Sequence, residues 1–117
     1  MSLTLLPSGC FEISLKDGSI IKGQFNHASL KKLSLMKGGL GYTETLDLLE
    51  PSIISGKELV NNIIKLILFS VEGSYDDFDV VKWIEELGGV GGENWDRLTG
   101  HFLDGFVAKK KAVTEPS

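Results

Sequence analysis

The hydrophobic period of this chain changes once, at Asn26, and that change fixes most of what it can fold into. Before it, the segment CFEISLKDGSIIKGQF at 10–25 alternates with period 2 about a Lys16-Asp17-Gly18 turn. After it, apolar residues recur at intervals of three and four. One strand pair followed only by helical patterns is an α+β arrangement: an N-terminal β-hairpin packed on a bundle of four to five α-helices. A lone hairpin is marginal in water, so its apolar face must lie on the helices.

The register of the hairpin follows from which residues must share a face. A two-residue Asp-Gly loop would pair Leu15 with Ile20 and Ile13 with Lys22, setting Phe11, Ile13 and Leu15 against Ile21 and Phe25. A three-residue loop, with Gly18 left-handed as a bulge, pairs Leu15 with Ser19, Ile13 with Ile21 and Glu12 with Lys22. Only then do Phe11, Ile13, Leu15, Ile21 and Phe25 lie together, with a Glu12–Lys22 ion pair on the other face. The second register is expected, because a slip of one residue reverses every side chain.

Asn26 is placed to cap a helix over residues 27–37, with Leu30, Leu33 and Met36 as its inner stripe and Gly38-Gly39 as its stop. A short amphipathic turn over 43–50 ends before Pro51. Ser55 and Glu58 make a capping-box pattern ahead of a helix over 56–72, where only Glu58, Asn61, Asn62, Lys65 and Glu72 form a narrow polar strip. A helix this apolar is surrounded by other elements or by another subunit. The next helix, over 77–87, has acids at its positive end and Val80, Trp83, Ile84 and Leu87 on one stripe, with Phe78 off it. A glycine run at 88–92 precedes a last helix over 93–107, seamed by Trp95, Leu98, Phe102 and Phe106. Residues 1–9 read as an N-terminal arm, 10–107 as a single domain and 108–117 as a flexible tail.

Composition narrows the partners. With 117 residues, 42 % of them hydrophobic, and a net charge of −4, the chain supports one modest core and lacks the clustered lysines and arginines that nucleic acid requires. The apolar run at 59–71 is shorter than the ~20 residues of a membrane span and is interrupted by Lys65. The N-terminal residues lack the basic start of a signal peptide, so neither a membrane nor secretion is expected. Cys10 has no second cysteine to pair with, which fits an intracellular protein or one indifferent to redox state.

Reactive chemistry has no textual support. Gly56-Lys57 lacks the upstream glycine and the following Ser or Thr of a phosphate loop. The glycines at 88–92 follow a helix rather than a strand, the wrong context for a dinucleotide fingerprint. His27 and His101 are far apart and stand in no metal-ligand spacing, and Asp76, Asp77 and Asp79 lack the glycine and glutamate of a calcium loop. No catalytic, cofactor-binding or metal residue is assigned, and a non-enzymatic role is expected. The surplus of apolar stripe instead nominates Phe78, Trp83, Trp95, Phe102 and Phe106 for partner binding, Trp83 and Trp95 reading first as core. Self-association into a homo-oligomer, or a partner helix laid in a groove, would bury that surplus.

The succession FEISLKDGSIIKGQF, NHASLKKL, KELVNNIIKLILFS and DDFDVVKWIEELGG, spanning about residues 10–107, resembles the small tail assembly chaperones of long-tailed bacteriophages and prophages. The resemblance lies in order and pattern rather than in a fixed motif. It implies a protein encoded between the tail tube and tape-measure genes that binds the tape-measure protein and the tail tube protein. Such a protein works in the host cytoplasm and is absent from the mature virion. It also implies a longer frameshifted product in many members, for which the codons of Lys109, Lys110 and Lys111 are the natural slip site. The alternatives are a structural component retained in a tail or tail-like particle, and a small regulatory protein that binds one partner stoichiometrically.

Overall fold

The computed structural model describes residues 2–106 and is an α+β domain in which a small antiparallel sheet packs on helices. The sheet has three strands rather than the two of a hairpin: β1 (Ser2–Leu5), β2 (Cys10–Ser14) and β3 (Ile20–Gln24), in the order β1-β2-β3. Residues 2–5 are therefore not an arm. Leu3 lies opposite Ile13 and Leu5 opposite Phe11, and Leu3 joins the core. A four-residue alternation is too short to stand out in a sequence, and what fixes it is the 3-10 turn Pro7–Gly9 that folds the chain back onto β2.

The β2–β3 register is the three-residue-loop one, with Ile13 opposite Ile21 and Glu12 opposite Lys22, and Gly18 is left-handed at φ +90°. Phe11, Ile13, Ile21 and Phe25 are buried, and Leu15 packs half-buried against them. Glu12 and Lys22 face each other without closing an ion pair; the one ion pair among the described residues is Lys65–Asp77, at 2.8 Å. Ser19 holds the turn by donating its hydroxyl, at 2.6 Å, and its backbone N–H, at 2.9 Å, to Asp17 Oδ1, which keeps that carboxyl below its usual pKa. The benefit to the fold is present above the ordinary aspartate pKa and is lost as pH falls through the lowered one.

Six helical segments follow among the described residues: α1 (His27–Met36), α2 (Tyr42–Asp47), α3 (Gly56–Ser70), α4 (Asp77–Glu86), α5 (Glu93–Gly100) and α6 (Phe102–Phe106). Reciprocal caps start α1 and α4. Asn26 Oδ1 accepts from Ser29 N–H at 2.9 Å while Ser29 Oγ accepts from Asn26 N–H at 3.1 Å, and Asp76 and Asp79 exchange the same pair of bonds at 3.0 Å. The box expected at Ser55 does not form: Ser55 is the cap residue of α3, but its hydroxyl makes no capping bond.

Three further expectations are corrected. Met36 is exposed: it falls about 60° around the helix from Leu33 and about 120° from Leu30, past the edge of the buried stripe. Asn62 does not belong to the polar strip of α3; it is buried, and its Nδ2 donates to the Leu48 carbonyl at 2.9 Å, holding the end of α2 against α3. The single last helix is two, α5 and α6, broken at His101. There the His101 Nε2–H donates to the Cys10 carbonyl at 2.8 Å, and α6 swings back to the start of the chain, where Gly9 N–H donates to Asp104 at 2.8 Å. The frayed tail expected at 108–117 lies outside the described residues, as do the lysines at 109–111.

The core forms where the sheet, α1, α3, α4 and α6 meet. Phe25 sits at its centre, stacked on Phe11 at a ring separation of 4.7 Å and edge-on to Phe102 at 4.6 Å. Leu66 and Ile67 of α3 are fully buried, with Val80 and Trp83 of α4 beside them in the same cluster. The apolar circumference of α3 is thus largely spent inside one chain, under α1, α4 and β3. None of the described helices is long and apolar enough to cross a membrane.

Candidate partner-binding groove

The five aromatic residues nominated for binding fall into three settings. Trp83 is buried, with Tyr75 edge-on against it at 4.9 Å, so its indole belongs to the core. Phe78 stands 83 % exposed on the outer face of α4, the most exposed large apolar side chain described. Trp95, Phe102 and Phe106 come together along one wall of a groove of about 530 Å³; Trp95 is half-buried there, while Phe102 and Phe106 are buried and form the floor.

α5 forms one side of the groove, through Trp95, Asp96, Thr99 and Gly100. Its own anchor is Leu98, which is buried, and Arg97 reaches the Leu3 carbonyl at 3.4 Å. The opposite wall is built by Leu46 and Leu49 at the end of α2 and by Leu59 and Ile63 in the first half of α3. Pro51, Thr99 and Gly100 complete the lining. These wall residues escaped the sequence reading, since leucines at helical spacing read as core. What would have shown them is that the stripe of 43–50 and the first turn of 56–72 have no helix long enough to cover both.

Two carboxylates sit on the rim, Glu50 and Asp96, both exposed. Neither has a cationic partner among the described residues. Glu50 accepts only from Ser52, at 3.2 Å from the hydroxyl and 3.4 Å from the backbone N–H. The groove therefore offers an apolar floor under unpaired negative charge. That combination suits a side chain with an apolar stem or neighbour and a cationic end.

Two smaller depressions exist. One, of about 250 Å³, lies between α1 and α2 beside His27 and Tyr42, and the other, of about 330 Å³, beside Gln24, Asn26 and Asp104. His27 lines both of these depressions, whereas His101, Asp76, Asp77 and Asp79 line none of the three cavities. Among the described residues no three His, Cys, Asp or Glu side chains converge on a metal-sized site. No protein-family model, curated protein or solved structure matches the chain.

Phe78 gives the first experimental handle. Because its ring is mostly in water, Phe78→Ala should change the unfolding free energy by less than about 0.5 kcal/mol. Thermal melting of the two proteins checks this, and a drop of several degrees would place the ring in the core.

Proposed function

We propose that this protein is a non-enzymatic tail assembly chaperone of a bacteriophage or prophage, which binds the tape-measure protein and the tail tube protein during tail morphogenesis. It acts in the host cytoplasm and leaves before the virion is complete. The observation that carries the reading is the groove walled by Trp95, Phe102 and Phe106, an apolar surface of binding size on a chain with the running order of that family. Phe78, on a separate face, gives a second apolar contact, so two different partners can be held at once.

Co-expression with the tape-measure and tail tube proteins of the same genome, followed by a pull-down on this chain, tests the proposal. Retention of the tape-measure protein is expected, with weaker retention by the Phe78→Ala variant. If neither protein is retained while all three are soluble, the assembly reading fails. Detection of the chain in purified particles would instead make it a structural component of the tail.

A further inference from the structure

The groove lies where the described chain ends. Phe106, the last described residue, is buried and lines the groove together with Phe102. Its carbonyl oxygen accepts from the Tyr42 hydroxyl at 3.4 Å, and His27 Nε2 stands 3.4 Å from the same atom. The chain therefore leaves the described structure from the groove itself, beside the first residues of α1 and α2. Eleven residues follow, VAKKKAVTEPS, and the first seven of them set three lysines between small apolar residues. That is the chemistry the groove is missing: its floor is apolar, and Glu50 and Asp96 on its rim have no cationic partner among the described residues.

We propose that residues 107–113 of the same chain lie back along this groove and occupy it. Lys109, Lys110 and Lys111 meet Glu50 and Asp96, and the lysine stems and flanking valines cover the floor beside Trp95 and Leu59. Three features favour this occupant. The charges are complementary, positive on the segment and negative on the rim. A lysine supplies both things the site asks for, an apolar stem for the floor and an ammonium group for the edge. The reach is sufficient: the lysines follow Phe106 by three to five residues, so an extended chain carries them up to about 18 Å from a residue that already lines the groove.

Tethering decides between this segment and the same segment of another molecule. A short linker presents its cargo at an effective concentration on the order of millimolar. A contact of only millimolar affinity is then about half formed, and at micromolar protein the tethered segment outcompetes a second copy about a thousandfold. The segment is thus a built-in competitor for the groove. A partner that uses the groove must displace it, and its apparent affinity falls tenfold if the groove is free one-tenth of the time. The inference rests on the groove and the sequence that follows it, so failure of the tail-assembly reading leaves it standing.

Acrylamide quenching of tryptophan fluorescence in the full chain tests it, because Trp95 is half-buried in the groove while Trp83 is buried and gives a constant background. In the triple variant Lys109→Ser, Lys110→Ser, Lys111→Ser, quenching of Trp95 should rise at least twofold over the parent. Glu50→Lys, an exposed change on the rim and outside the segment, should raise it in the same way. Added salt should also raise it in the parent, whereas dilution from a hundred micromolar to one micromolar should not. A synthetic peptide of residues 107–117 should bind the triple variant at least tenfold more tightly than the parent, whose groove is already filled. Equal quenching of Trp95 in the parent and either variant overturns the proposal, as does a peptide that binds both chains alike or neither. Protection of Trp95 that disappears on dilution also overturns it, since the segment then comes from another copy.

Discussion

Phe25→Ala should lower the free energy of unfolding by about 4 kcal/mol, enough to leave a domain of this size barely folded. The ring is fully buried and bridges the two ends of the chain, touching Phe11 of β2 on one side and Phe102 and Phe106 of α6 on the other. Its removal leaves a cavity lined by elements that are each held by other contacts, so little collapse can offset the loss. Urea unfolding of the two proteins measures the difference. A loss below about 1.5 kcal/mol would mean that α6 is not seated on the sheet, because only an unseated α6 leaves Phe25 half in water.

Gly105→Ala is the second large effect, and its cause is crowding rather than a void. A methyl group at residue 105 would overlap the Phe25 carbonyl oxygen, with the Phe25 carbonyl carbon only 2.7 Å away, and Gly9 on the other chain end approaches so closely that its own added methyl would lie 2.7 Å from the Gly105 Cα. These are backbone atoms that cannot rotate aside, so α6 must lift from the Pro7–Gly9 turn, at a cost of about 3 kcal/mol. Gly100→Ala is the matched control. It stands five residues earlier, in α5, with nothing within 4 Å of the added methyl, and should be neutral or stabilise by up to about 1 kcal/mol. Equal melting temperatures for the two variants would remove the close approach from the account of the fold.

The parts of this architecture that were legible in the sequence are those set by local chemistry. Gly18 and the apolar face of 10–25 decide the β2–β3 register between them, because only one pairing keeps Ile13 and Ile21 together. Asn26 and Asp76 mark helix starts, since each has its capping partner three residues on. What escaped depends on residues distant in the chain. β1 is a strand because β2 offers it an edge, and no four-residue alternation announces that by itself. Asn62 is polar by type, yet it is inside because the chain end of α2 presents a carbonyl that needs a donor. The break at His101 is set by Cys10, ninety-one residues earlier, and a helical pattern continuous through Phe106 gives no sign of it. The groove escaped for a related reason: periodicity tells which face of a helix is apolar, but whether a neighbour covers that face is a property of the whole fold.

The turn at Pro7–Gly9 has its hydrogen-bond partner, Asp104, ninety-five residues further on. Order of synthesis then becomes an order of folding. While the chain grows from its N-terminus, the sheet can pair and α1, α3 and α4 can collect beneath it, but the aromatic centre stays uncovered until α6 has been made. Closing so long a loop costs only slowly more with length, yet it must be paid before the contacts that reward it form, so it delays the last step. The nascent protein therefore passes through a state in which the face of Phe25 that Phe102 and Phe106 cover is open to water. In the finished fold, the end of the described chain is the lid on its beginning.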